Sequence, residues 1–337
     1  MSSEVFDCIV IGAGIQGSCT AYQLAKNKQK TLLLEQFVLP HSRGSSHGQT
    51  RIIRKAYEED FYTQMMQESY ELWAELEKEA GVELYRRTGL LVMGPEKSEG
   101  FSKLKDTMQR HKIPTVFLEK QEFNEHIPNV NLSEGNGALI DTFAGVLYAD
   151  RALRAVQRLF QCSGGVLKDG QTVTGVSPGA VVTVSTGSAV YRGKSVVITA
   201  GPWANTLLTH AGLQLPLKVV KINVCYWKEK IPGTYSVGQS FPCFIQMEPK
   251  EGEYDIYGLP SNEYPGLMKV TPDQHFVLDS HPSYGNIIIG AGFSGHGFKF
   301  SPIIGKVLSQ LAMGQVPSHD LSPFRIQRFQ SQSKSSL

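Results

Sequence analysis

The chain of 337 residues has the length of about two domains and can bury a sizeable core. Its 33 basic and 31 acidic side chains nearly cancel, which argues against a polyanion such as nucleic acid as partner. No apolar run is long enough to span a bilayer and the start Met1-Ser2-Ser3-Glu4 lacks the character of a secretory signal, so no membrane partner is expected either.

In chain order, Asp7-Cys8-Ile9-Val10-Ile11 has the pattern of a buried parallel strand. It opens into Gly12-Ala13-Gly14-Ile15-Gln16-Gly17 and an amphipathic helix from about Ile15 towards Lys26, after which Thr31 to Leu34 forms a second buried strand. Glycines at 12, 14 and 17 let the backbone turn sharply, approach a pyrophosphate and pack helix on strand, with the helix N-terminus at Ile15 facing the phosphate charge. Glu35 stands 18 residues beyond Gly17, the usual place for a carboxylate that accepts ribose hydroxyl protons. Strand, turn, helix, strand and acid in this order predict a bound dinucleotide rather than a ligand-free turn.

Glu59 to Ala80 carries Phe61, Met65, Leu72, Trp73 and Leu76 as an apolar stripe, with Gly81 as its C-terminal cap. Short strands are predicted at Tyr85 to Gly94, Val116 to Leu118 and Gly137 to Ile140. Asp150 reads as the N-cap of a helix burying Leu153, Val156, Leu159 and Phe160, ended by Gly164-Gly165. A hairpin spans Val173 to Val184, and the buried strand Ser195 to Ala200 runs into Gly201, a further cofactor-binding candidate. Beyond Lys218, Ile222, Val224 and Tyr226 alternate with Lys221, Asn223 and Cys225 as in a half-exposed strand, and Phe244 to Met247 and Asp255 to Tyr257 extend an antiparallel sheet. The buried strand Asn286 to Ile289 opens into a second glycine cluster, Gly290 to Gly297, followed by a helix from about Pro302 to Met313.

Nucleotide-type segments thus interleave with β-rich ones. The expected fold is α/β (α+β mixed): a Rossmann-like FAD-binding domain made of 1–84, 146–217 and 271–330, interleaved with a substrate domain on an antiparallel or mixed β-sheet made of 85–145 and 218–270. Residues 331–337 read as a flexible tail. The second glycine cluster favours a flavin over a nicotinamide, because an enclosed isoalloxazine needs close backbone and a helix N-terminus near its C2 carbonyl. Gly292, Gly295 and Gly297 are the candidates there. The scattered cysteines Cys8, Cys19, Cys162, Cys225 and Cys243 lack metal-ligand spacing and read as free thiols, so no metal is expected.

Three runs carry a resemblance. Ile9 to Gly17, Gly44 to Tyr57 (Gly44-Ser45-Ser46-His47-Gly48-Gln49-Thr50-Arg51-Ile52-Ile53-Arg54-Lys55-Ala56-Tyr57) and Gly290 to Lys299 resemble the monomeric sarcosine oxidase family over nearly the whole chain. The resemblance implies an FAD-dependent oxidase that turns secondary amino acids (sarcosine, L-pipecolate, L-proline) into imines and O₂ into hydrogen peroxide, working as a monomer. It implies that Arg54 and Lys299 clamp the substrate carboxylate. The chemistry suits them, since a guanidinium forks onto a carboxylate and an ammonium adds a point charge. Arg51 is then a flavin-side residue, and Ser45 and His47 belong to the flavin-contact loop, although His47 alone reads equally well as a polar loop residue. Lys269 is similar to the family lysine that promotes reaction with O₂ by stabilising superoxide. His296 beside the ring and Tyr257 lining the substrate pocket carry over more weakly, and Tyr257 fits a core position as well.

One departure stands out. Relatives do not pass directly from the lysine strand to a segment resembling Thr271 to Phe276, so between Val270 and Thr271 the chain is expected to lack roughly fifty residues. Those would include the cysteine to which the family attaches FAD covalently, and none of the five cysteines stands at that position. Two readings follow: an oxidase that holds FAD dissociably, or a catalytically impaired splice or mispredicted product, with Lys269 displaced. Ser335-Ser336-Leu337 resembles the Ser-Lys-Leu peroxisomal address except at its middle position, which implies an import receptor as partner and a peroxisomal location, the cytoplasm being the alternative.

Overall fold

The computed structural model describes residues 4–127, 130–219, 224–248, 255–262, 267–271 and 277–329, the strand Leu267–Thr271 by its backbone alone. Runs as apolar as Val5–Ile11 and Thr31–Leu34 need cover on both faces, which a parallel sheet between layers supplies. Five strands run parallel in the spatial order Val166–Lys168, Thr31–Leu34, Val5–Ile11, Val190–Ile198, Tyr284–Ala291. In register, Ile11 lies opposite both Leu34 and Ile198, and Ile198 opposite Ile289. Leu34, Ile11 and Ile198 thus end three strands level where the first glycine turn begins, and the strand beside them runs two residues further to Ala291.

The helices Ile15–Lys26, Ala149–Cys162 and Ser301–Ala312 cover one face through Leu24, Val156, Phe160, Ile304 and Leu308. Gly305 brings the first and last of them together: a Cβ there would lie 2.7 Å from the backbone of Cys19. The other face is closed by the hairpin Val173–Ser177 and Val182–Thr186 together with Leu207, Leu208 and Ile326.

A second sheet of seven strands runs Cys225–Lys228, Leu267–Thr271, Ile256–Leu259, Cys243–Gln246, Leu90–Pro95, Asn136–Asp141, Thr115–Leu118. It is mixed, because Cys243–Gln246 pairs parallel with Leu90–Pro95 while its other neighbours pair antiparallel. Thr50–Ile53, Gly145–Tyr148 and Tyr85–Arg87 form a small joining sheet. Its period of two serves both layers: Ile53 and Leu147 enter the core of the parallel sheet, while Ile52, Val146 and Tyr148 enter that of the second.

Two local expectations need correction. Asp150 is not an N-cap; the helix starts at Ala149, and the amides of Ala149 and Asp150 donate to the carbonyls of Gln49 (2.8 Å) and Gly48 (3.1 Å). Backbone from the 44–50 loop thus does the work assigned to a side chain. The half-exposed alternation predicted from Lys221 to Tyr226 is not seen where it can be followed. Residues 220–223 lie outside the described residues, and Cys225–Lys228 is exposed at every position, Trp227 to 63%, because it is an edge strand. Among the described residues, no helix is long and apolar enough to cross a membrane.

Candidate active site

The first glycine turn is tight. Gly12 has φ +102°, where L side chains are strained, and a Cβ on Gly17 would stand 1.9 Å from the Gly12 carbonyl oxygen. Gly14 is the extended N-cap of the helix and has no capping side chain of its own, so the amide of Ile15 donates to Ser46 Oγ at 3.0 Å. Glu35 is buried at the end of its strand. Its Oε2 accepts from the amide of Ala13 (2.9 Å) and its Oε1 from that of Phe37 (3.1 Å), with His41 Nε2 3.4 Å away. Gln157 Nε2 adds a bond to the Ala13 carbonyl at 2.9 Å. Gln16, also buried, donates from Nε2 to the carbonyl of Gly297 at 2.8 Å and so ties the two glycine clusters together.

The residues fit a dinucleotide. A helix N-terminus abuts a turn too close-packed for any β-carbon at Gly17, with a buried carboxylate beside it, and the buried atoms Gln16 Oε1 and His47 Nδ1 have no hydrogen-bond partner among the described residues. Ser46 is the serine that reaches the helix end; Ser45 is exposed and offers its carbonyl to Arg51. Adjacent serines look alike in sequence, so only the loop's path separates them. Gly201, φ +54°, is exposed with nothing near its Cβ position, two residues beyond Thr199, whose amide and hydroxyl both donate to the Ile11 carbonyl.

The second cluster is equally constrained. Gly292 (φ +68°) and Gly295 (φ +69°) take left-handed backbone, and a Cβ on Gly297 would lie 2.5 Å from Phe293 Cβ. The resulting turn Gly297–Phe300 buries both His296 and Lys299. Lys299 Nζ donates to the His296 carbonyl (3.0 Å), and the Lys299 carbonyl accepts from Ser69 Oγ (2.6 Å) and Trp73 Nε1 (2.9 Å) on the helix Asp60–Ala80. Tyr57 is the meeting point. The Arg54 guanidinium lies 4.2 Å from its ring centre and Lys299 Nζ 5.6 Å, while its hydroxyl is 3.4 Å from His296 Nδ1. Tyr62 and Phe300 pack against the same histidine.

The two arginines separate by their partners. Arg51 donates to the carbonyls of Thr50, Ser45 and His47 at 2.7–2.8 Å and covers Phe298, so it holds the 44–50 loop. Arg54 faces Tyr57 and donates to the Ala56 carbonyl at 2.7 Å. Tyr257 is half-buried in the core of the second sheet with Ile52 and Ala56. The backbone of Lys269 pairs with Tyr226 and Leu259; its side chain lies outside the described residues. Sequence reasoning missed Tyr57, Gln16 and Ser46 as site residues, and it missed Asp141. That buried carboxylate accepts from the amides of Lys55 and Ala56, and burial pushes its pKa above the usual carboxylate range. Among the described residues no cluster of potential metal ligands is found.

A glycine cradle that fits a dinucleotide, beside the buried Lys299 and the half-buried Arg54, points to a class of oxidoreductase. Residues 7–264 match the family described as DAO, FAD dependent oxidoreductase, and the chain belongs to this family. It is 46% identical to "Peroxisomal sarcosine oxidase" of Homo sapiens, with 99% of each chain covered, and 34% identical to "Monomeric sarcosine oxidase" of Bacillus sp. (strain B-0618), with 97% of each covered. Among solved structures it is similar to L-proline dehydrogenase from P. horikoshii (TM-score 0.83, 20% identity, 98% of this chain and 99% of that one). NikD, an amino acid oxidase of nikkomycin biosynthesis, is similar too (TM-score 0.82, 21% identity, 96% and 98% covered). The alignment with the human relative runs over 387 positions whereas this chain has 337 residues, so at least 50 of them have no counterpart here.

Proposed function

We propose that this chain is an FAD-dependent oxidase of secondary amino acids, with sarcosine, L-pipecolate and L-proline as the candidate substrates. The observation that carries the reading is the convergence of Arg54, Lys299 and His296 on Tyr57, next to the Gln16–Gly297 bridge between the two glycine clusters. FAD, when bound, would supply the electron acceptor: the amine's C–H bond would give up its hydrogen with both electrons, its N–H would give up a proton as the imine forms, and O₂ would take the two electrons and two protons as hydrogen peroxide.

The protein's share is placement. Gly12, Gly14, Ile15, Gly17, Glu35 and Ser46 would hold the pyrophosphate and ribose, and Arg51 with His47, Gly201, Gly292, Gly295 and Gly297 the ring end. Arg54 forks onto the substrate carboxylate and Lys299 adds a second positive charge, which orients the amine. Tyr57, Tyr62 and Phe300 pack together beside the buried Lys299, where a lowered dielectric strengthens its contact with a carboxylate. Tyr257 and Lys269 complete the substrate side, Lys269 as the cation that favours oxygen reduction. Two separate cores support the division into 1–84, 146–217 and 271–330 for FAD and 85–145 and 218–270 for substrate. The intact cradle and clamp favour the oxidase over an impaired product.

The test is direct. Peroxide release should follow addition of one of the three amino acids. Arg54→Ala should weaken binding of an unreactive carboxylate analogue by about tenfold or more, the loss of a charge-assisted hydrogen bond, and leave FAD binding in place. Equal analogue affinity before and after the change overturns the clamp. The relatives named monomeric and peroxisomal support a monomer in the peroxisome. Ser335-Ser336-Leu337, outside the described residues, is the proposed address. A fluorescent protein carrying 326–337 that stays diffuse in cells refutes it.

A further inference from the structure

Arg54 sits where regular structure stops. The strand ends at Ile53 and the next helix starts at Asp60, so no ladder of backbone bonds orients the residues between. A clamp aimed from such a stretch needs an anchor outside it. Asp141, fully buried as the last residue of Asn136–Asp141, reaches across from the second sheet. Its Oδ2 accepts from the amide of Lys55 at 2.7 Å and of Ala56 at 3.2 Å, and its Oδ1 from the amide of Phe143 at 3.1 Å.

The amide of Lys55 shares its rigid peptide plane with the carbonyl of Arg54. Asp141 therefore holds the two peptide planes that follow Arg54, and with the strand residue Ile53 before it these bracket the Arg54 Cα and restrict the direction of its Cα–Cβ bond. The Ala56 carbonyl in turn accepts from Arg54 Nη1 at 2.7 Å, so the guanidinium is steered by the segment that the carboxylate holds. Thr63 Oγ1 pins the Lys55 carbonyl at 3.1 Å, and Lys55 Nζ reaches Gln67 Oε1 at 2.5 Å, which leaves this segment little room to turn. A carboxylate offers acceptors to all three amides, whereas an amide side chain must point a donor at one of them.

We propose that Asp141 is the positioning residue of the carboxylate clamp, setting the aim of Arg54 without touching substrate or cofactor. This rests on the reading of Arg54 as a carboxylate ligand. The probe is pyrrole-2-carboxylate, a flat analogue of proline with no hydrogen to lose, titrated calorimetrically into the flavin-loaded protein; FAD dissociation is followed separately by its fluorescence. Asp141→Ser should weaken probe binding by about tenfold and Asp141→Asn by less, with FAD affinity within about twofold of the parent in both. In an Arg54→Ala background the Asp141 substitutions should have no further effect on the probe. Should Asp141→Ser fail to fold, Asp141→Asn alone decides, by at least about threefold weaker binding.

Unchanged probe affinity, a parallel loss of FAD, or an undiminished Asp141 effect without Arg54 overturns the positioning role and leaves the clamp standing. If Arg54→Ala itself does not weaken the probe, the clamp reading falls and this role falls with it.

Discussion

A β-carbon at Gly17 would stand 1.9 Å from the Gly12 carbonyl, and backbone cannot give way by so much; at Gly14 the nearest atom is Ser46 Oγ at 3.0 Å, the free end of a side chain. The two glycines should therefore fail differently. Gly17→Ala is expected to abolish flavin retention and lower the melting temperature, whereas Gly14→Ala should keep the fold and lose only part of its flavin, as Ser46 rotates aside. Bound-flavin absorbance and thermal melts check this, and equal behaviour of the two variants refutes it. The same scale holds the decision between Arg51 and Arg54. Both flank an apolar pair; Arg51 is taken up by three loop carbonyls while Arg54 faces Tyr57, which is what supports the proposal of Arg54 rather than Arg51 for the clamp.

At the scale of elements, the helix that backs the site is tied at its start to the neighbouring layer. Asp60, in the first turn of Asp60–Ala80, accepts from Arg110 Nε and Nη2 (2.9–3.1 Å) and lies 2.6 Å from His111 Nε2 at the end of Glu99–Arg110. The hydrogen bond to His111, with those to Arg110, holds the Asp60 carboxyl below its usual range. The sign follows: a carboxylate more acidic folded than unfolded stabilises above its unfolded pKa, about 3.9, and the gain is lost as pH falls through the lower folded value. Both partners are half-exposed, so Asp60→Asn should cost only about 0.2–1 kcal/mol at neutral pH. The difference from the parent should shrink progressively in melts taken at pH values falling below about 3.9. A gap that persists in acid would assign the loss to packing instead.

For the whole molecule, the placement of its thiols bears on how FAD would be held. Cys8, Cys19 and Cys243 are buried, and burial pushes each thiol up to about 12, which disfavours the nucleophilic thiolate. Cys162 is exposed, but it ends a helix whose start abuts the 44–50 loop; fourteen residues put it about 20 Å from that end. Cys225 is exposed on the outer strand of the second sheet. Acid precipitation of the flavin-loaded protein should thus release all of its flavin to the supernatant. Yellow colour left in the pellet would mean a covalent bond and contradict this account.

Much of the architecture lies in local pattern. Apolar runs such as Val5–Ile11, the 12-14-17 glycine spacing, the stripe of the helix Asp60–Ala80 and its left-handed cap at Gly81 are short-range signals, because each reflects the covering of one element or the stereochemistry of one turn. By itself, then, the sequence determined the dinucleotide fold, the two glycine loops and a short list of cations. Tertiary structure alone decided which members of that list meet. Gln16 joins Gly297 across 281 positions and Asp141 holds Lys55 across 86, while Ser46 was chosen over its neighbour and Tyr57 gathered Arg54, Lys299 and His296. Edge strands such as Cys225–Lys228 likewise took their exposure from what lies beside them. Such choices depend on contacts between distant segments, and those come into being only when the layers pack.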